Sequence, residues 1–384
     1  MESYDVGIIG AGVHGASAAF HLARRGLRVK VYERDQPAAG PTGYSSAVCR
    51  AFYTNTFLAS VARESIDMLA NFTDLTGGGN AGYHRTGGLF LHHAADSPEL
   101  EPVLRRLGEI GTTVEQLRPD ELEAYMPGLT VTGEEIGVWE RDAGYADPAG
   151  VTMGLLAQAA RQGAEIARNT KVTAIVGGRK PRVLADDGET SVGRVLVAAG
   201  PWTTSLLPPS AAAPPLVAER HIVVHAQRPP GTSQLRSVFA DVPDGYYLRP
   251  EGSDGLLLGP LHETARVNPD EPVAKLGTDE ASELLGIAAQ RFPELADAGL
   301  RGGWSSLYDV SPDWQPVVGE VDEQVFIDAG TSGHGFKLAA AWGRHVADVV
   351  TADDPDPAIH QFRPQRFIEG EQLASGWHAA KILG

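Results

Sequence analysis

The first 33 residues constrain this chain more than any other stretch. Tyr4-Asp5-Val6-Gly7-Ile8-Ile9 is a short apolar strand that runs straight into Gly10-Ala11-Gly12-Val13-His14-Gly15. Apolar residues then recur at helical spacing from Ala16 to Ala23, and Gly26 stops the helix. A second strand, Arg28 to Tyr32, ends in Glu33. Each glycine has a task. Gly10 permits the tight turn, Gly12 admits a pyrophosphate to the backbone, and Gly15 lets helix pack close on strand. The helix start offers free N–H groups and the positive dipole end to phosphate. Glu33, 18 residues past Gly15, stands where a carboxylate takes the ribose hydroxyls of an adenosine. Strand, glycines, helix, strand and acid in register predict a dinucleotide-binding βαβ unit.

The rest of the chain supplies the material for a larger enzyme. Its 384 residues suffice for two domains, each with a core. The net charge of −17 argues against nucleic acid or an anionic membrane as partner. An anionic substrate then needs locally placed cations. Cys49 is the only cysteine, which rules out an intrachain disulfide or a cysteine-based metal site. The sequence shows no secretory n-region and h-region and no run of 18 apolar residues, so the expected location is cytoplasmic.

Further along, helices are expected over about 56–75, 98–108, 119–125, 151–162, 279–292 and 336–350. Strands are expected at 87–92, 136–139, 165–166, 171–175, 194–199, 220–226, 246–249, 256–258 and 325–329. The Pro- and Ala-rich stretch 208–215 suggests a crossing between domains. The tail from Thr351 reads as irregular and surface-bound, and His92-His93 as surface. Asp147-Pro148 reads as a turn and helix start. Parallel-type strands with nucleotide signals near both ends imply an α/β fold. In it a discontinuous Rossmann-like domain (1–86, 145–218 and 318–384) carries a second domain rich in antiparallel sheet (87–144 and 219–317).

Five stretches in order carry a resemblance to a known family: the N-terminal motif, Gly43 to Tyr53, Gly144 to Pro148, Val197 to Trp202, and Gly330 to Lys337. Together they resemble the D-amino acid oxidase superfamily of flavoenzymes, in its sarcosine oxidase and glycine oxidase branch. The resemblance implies FAD as cofactor. Gly10, Gly12, Val13, His14, Gly15 and Glu33 would hold its ADP half, Arg34 would lie near the adenosine, and Val172 would meet the adenine through its backbone. Ala199, Gly200 and Trp202 would line the pyrophosphate side, while Ser45 and Ser46 would approach the flavin. Gly333, His334, Gly335, Phe336 and Lys337 match the loop facing the flavin pyrimidine, where N–H groups and an ammonium stabilise negative charge on the reduced ring.

The same resemblance makes Arg50 the carboxylate-binding arginine, with Lys337 as second cation and Tyr247 and Tyr308 bordering the substrate. It implies a small amine or amino acid substrate, with a secondary or N-methylated amino acid favoured. The C–N bond would be oxidised to an imine by hydride transfer from an uncharged amine, and O₂ or another acceptor would take the electrons.

Two departures qualify this. Ser306 stands where some relatives attach FAD through cysteine, and no histidine occurs in 42–50, so FAD is expected to be non-covalent. Leu257 stands where monomeric sarcosine oxidases carry an oxygen-activating lysine, leaving oxidase and dehydrogenase both open. Oxidation of a 2-hydroxy acid, with a histidine such as His262 as base, is an alternative. So is a flavin subunit or tailoring enzyme active on a larger amine only in a complex. His221 and His225 are further histidines of the substrate half.

Overall fold

The structure is a computed structural model that describes residues 4–232 and 235–374. β1 (Tyr4–Ile9) and β2 (Val29–Tyr32) flank α1 (Val13–Arg24). α2 (Pro148–Arg161) leads to β3 (Glu165–Ala167) and β4 (Gly188–Val197), and β5 (Val325–Ala329) leads to α3 (Gly335–Thr351). The five strands form the parallel core of an eight-stranded sheet in the order β3-β2-β1-β4-β5. The strand Val317–Asp322 runs antiparallel to β5. Two further strands, Val172–Val176 and Arg182–Ala185, fold antiparallel onto the first half of β4.

β1 lies mid-sheet with both faces covered, which is why Val6, Ile8 and Ile9 are buried whichever way they point. α1 packs against α2 and α3. Its buried residues are mostly small, including Gly15, Ala16, Ser17, Ala18, Ala19 and Ala23. Close approach is therefore possible, and the fit is tight. A Cβ at Gly343 of α3 would come within 2.2 Å of Ser17 Oγ. The Ser17 hydroxyl donates to the Ala340 carbonyl at 3.1 Å.

The second sheet has nine strands. Its main path runs Arg266–Val267, Val217–Gln227, Gly255–Pro260, Tyr246–Glu251, Val238–Asp241, Gly88–His93, Glu135–Glu140 and Val114–Leu117. Gly299–Val310 pairs along the free side of Val217–Gln227. Side chains alternate across these strands. Val224, Leu248, Leu256 and Leu258 pack against the helix Thr278–Arg291 through Leu284 and Ala288. The opposite face turns Tyr247, Leu261 and Tyr308 toward the core shared with α1 and α3. Arg249, Leu257 and His225 are directly opposed in register, so all three lie on this second face.

Four expectations are corrected. The helix expected over 56–75 breaks at Asn71 into Thr56–Ala70 and Phe72–Thr76. Gly299–Val310, twelve residues long, was not marked as a strand; its Arg301-Gly302-Gly303 and Ser305-Ser306 steps hide any alternation. His92 is fully buried, edge-on to Phe52, because it points inward from its strand while His93 points out. The tail is anchored: Ile359 and Phe362 are buried, and Arg366 makes a bidentate pair with Asp313 at 2.8 Å. Asp147 behaves as expected, its carboxylate accepting from Ala149 N–H at the start of α2.

Candidate functional site

A cleft of about 750 Å³ opens at the C-terminal ends of β1, β2 and β4. Open α/β sheets bind ligands at this end of their strands. Of the residues singled out from sequence, Gly10, Gly12, Val13, His14, Glu33, Arg34, Ser45, Val172, Ala199, Gly200, Trp202, Tyr308, Gly333, Gly335 and Phe336 line it. Gly15, Ser46, Arg50, Tyr247, His334 and Lys337 do not.

The glycine wall is fixed by backbone contact. Gly10 has φ +103°, and a Cβ there would meet the Ala198 carbonyl oxygen at 2.4 Å. A Cβ at Gly15 would meet the Gly10 carbonyl oxygen at 2.0 Å. The Glu33 carboxylate accepts from Ala11 N–H and from Asp35 N–H, both at 2.9 Å. That pins it at the cleft wall with acceptor capacity left for hydroxyl donors. Arg34 stacks on the Trp202 ring at 3.9 Å, and the Trp202 indole donates to Asp270 at 3.0 Å.

His14 does more than a helix-start side chain. Its Nδ1 lies 2.8 Å from Asp328 and its Nε2 lies 3.0 Å from the Gly335 carbonyl. Two acceptors on one ring call for two N–H donors, hence an imidazolium. Burial works against that charge, but the Asp328 carboxylate and the Gly335 carbonyl outweigh it and raise the His14 pKa. This clasp ties the N-terminal motif to the loop preceding α3. Its sequence signal was faint, because Asp328 lies 314 residues away.

The other residues, with Tyr308 at the edge of the cleft, form a largely buried group against the second sheet. Arg50 is 1% exposed, donates to the Phe52 carbonyl and lies 4.4 Å over the Tyr53 ring. His334 is fully buried with Nδ1 3.3 Å from the Tyr53 hydroxyl, and burial followed by the Lys337 and Arg50 charges pushes its pKa far down. Lys337 donates to the Gly333 carbonyl at 3.0 Å; burial, then Arg50, brings it down to about 7. Tyr247 donates to Ser46 Oγ at 2.8 Å. Tyr308 stacks on His221 at 3.8 Å, and burial raises its pKa. Cys49 is buried, its thiol pushed up to about 12, so it behaves as an apolar side chain.

Sequence reasoning missed two members of this group. Glu140 is fully buried and accepts from the backbone N–H groups of Ala51 and Phe52. Arg249 is buried beside Leu257 and donates through Nε to the Ser46 carbonyl at 2.6 Å. Only the i, i+2 spacing from Tyr247 could have placed Arg249 on this face.

The residues present fit FAD. The cleft joins an end that suits adenosine, lined by Glu33, Arg34 and Trp202, to an end that suits the isoalloxazine, lined by Tyr308, Gly333, Gly335 and Phe336. At that far end Ser305 Oγ is buried on the wall without a hydrogen-bond partner. Among the described residues there is no cluster fit to hold a metal ion, and no helix is long and apolar enough to cross a membrane.

Comparison with known proteins agrees. Dimethylglycine dehydrogenase of Mus musculus is 26% identical over 94% of this chain, which spans only 44% of that longer protein. Human peroxisomal sarcosine oxidase is 26% identical over 95% of this chain and 97% of its own length. The fold matches L-proline dehydrogenase from P. horikoshii with a TM-score of 0.87 and 22% identity, covering 97% of this chain and 100% of that one. Residues 5–349 match the family described as DAO, FAD dependent oxidoreductase, and the chain belongs to that family.

Proposed function

We propose that this FAD-dependent oxidoreductase oxidises the C–N bond of a small secondary or N-methylated amino acid, giving an imine that water hydrolyses. Two of the relatives are named for such amines, dimethylglycine dehydrogenase and sarcosine oxidase. We further propose that 1–86, 145–218 and 318–384 form the FAD-binding unit, and that 87–144 and 219–317 form the substrate unit. FAD supplies the two-electron acceptor and is held non-covalently by Gly10, Gly12, Val13, His14, Gly15, Glu33, Arg34, Ser45, Ser46, Val172, Ala199, Gly200, Trp202 and the 333–337 loop.

One observation carries the substrate reading: Arg50 and Lys337 are buried near enough for the Arg50 charge to lower Lys337. Keeping two cations together out of water is costly unless anions join them. Glu140 offsets Arg50 in part, and a substrate carboxylate supplies a second anion, which Arg50 can grip through a planar fork. Tyr247 and Tyr308 then wall the amine side. Orientation and electrostatics by these groups are what the chain contributes. The main alternative, 2-hydroxy acid oxidation with His262 as base, has no comparable support.

Arg50→Met tests the reading. KM for an N-methylated amino acid should rise roughly 10- to 100-fold, the loss of a charged hydrogen-bond partner, with FAD content unchanged. Unaltered KM would remove Arg50 from the site.

A further inference from the structure

We propose that Glu140 is a positioning residue of the substrate site, which fixes the turn that presents Arg50 and supplies a negative charge that offsets the Arg50 guanidinium. The inference rests on the Arg50 reading above. Its geometry is specific. Glu140 closes the strand Glu135–Glu140, where it pairs with Gly88 and Val114. Its Oε1 accepts the Ala51 N–H at 2.7 Å and its Oε2 the Phe52 N–H at 2.9 Å. Those are the two peptide groups that follow Arg50. The short strand Val48–Cys49 ends before them, so the peptides of Ala51 and Phe52 receive from one carboxylate what a neighbouring strand would otherwise give. Meanwhile the Arg50 guanidinium curls back to the Phe52 carbonyl. Carboxylate, turn and guanidinium form one closed unit.

A carboxylate at 0% exposure is expensive to keep for bracing alone. An asparagine or glutamine carbonyl would cost less if only one N–H needed an acceptor. The charge has a second use, because Glu140 and Arg50 act on one another electrostatically. The other ionisable groups that Glu140 faces are Asp142, Tyr53, Tyr83 and Cys49. Burial lifts the Glu140 pKa to about 7, against the pull of the Ala51 N–H, Arg50 and the Phe52 N–H.

The test uses the full chain loaded with FAD and, as probe, propionate, a carboxylate without an amine to titrate. Its binding is read from the flavin absorption band at one fixed pH. In Glu140→Gln one N–H loses its acceptor to an NH₂ group, so propionate affinity should drop and KM rise roughly tenfold with kcat changed far less. Parent-like KM and propionate affinity in Glu140→Gln would overturn the proposal. If that variant does not fold, Glu140→Asp, which keeps the charge but shortens its reach to the Ala51 and Phe52 N–H groups, takes its place, and parent-like propionate affinity there overturns it equally. Arg50→Met separates the two levels of inference. Propionate binding unaffected by that change refutes the substrate reading itself, whereas weakening by Arg50→Met without weakening by Glu140→Gln refutes only the role of Glu140.

Discussion

The two sides of this site are built from different materials. The cleft is walled by peptide groups: Gly10, Gly12, Ala199 and Gly200 are there for the shape of the main chain, with Gly15 packed behind Gly10. The proposed substrate side is walled by buried charges, namely Arg50, Glu140, Arg249 and Lys337. Backbone shape tolerates almost no substitution but is indifferent to pH. Buried charges respond to every proton that enters.

The largest effect should come from attacking the backbone side. Gly15→Ala drives a methyl group into the Gly10 carbonyl, and relief requires moving β1 or α1. A loss of about 3 kcal/mol or more is expected, with the purified variant retaining roughly a tenth of the normal FAD or less, read from flavin absorbance. Normal FAD content would break the comparison at its root.

Lys337→Met attacks the charged side and should divide function from stability. Its folded pKa, about 7, is below the unfolded value of 10.5, so the unfolded chain binds more protons between the two. Parent stability therefore rises with pH over that window. The methionine variant, free of this term, should melt above the parent, by most at and below pH 7 and by least near 10.5. Its KM for a carboxylate substrate should still rise roughly tenfold. Parallel melting curves across that window would show that Lys337 is not buried as described.

His14→Gln is smaller and opposite in sign. The folded His14 pKa is raised above 6.5, so its clasp stabilises fully below 6.5 and is lost as pH climbs through the folded value. The glutamine variant should melt lower than the parent below 6.5 and lose the parent's decline above it. The smallest change is Trp202→Ala. An exposed cation–π contact with Arg34 is worth about 0.5–1 kcal/mol, so FAD affinity should weaken only about two- to fivefold in an equilibrium titration.

The same division explains what the sequence disclosed. The backbone side was legible because its requirements are local: Gly10 to Glu33 is one continuous segment, and glycine spacing reports main-chain geometry directly. Arg50 and Lys337 were legible only through the family resemblance. Glu140 and Asp328 were not, because a carboxylate is defined by what it touches. Glu140 meets Ala51 across 89 positions, and Asp328 meets His14 across 314. The burial of His92 and the docking of Arg366 on Asp313 escaped for the same reason. Gly299–Val310 escaped because a strand that pairs along its whole length with Val217–Gln227 needs no strong pattern of its own.

The position of β1 has a consequence for how the molecule comes into being. It sits mid-sheet between β2, which follows it closely, and β4 at 188–197, and β4 in turn pairs with β5 at 325–329. During synthesis one edge of β1 must wait for a partner in the middle of the chain, and β4 must wait for β5. Closing such long loops is slow and leaves aggregation-prone strands uncovered meanwhile. The parallel core of the sheet is complete only once β5 is in place, so its closure is expected to follow synthesis of residues 325–329.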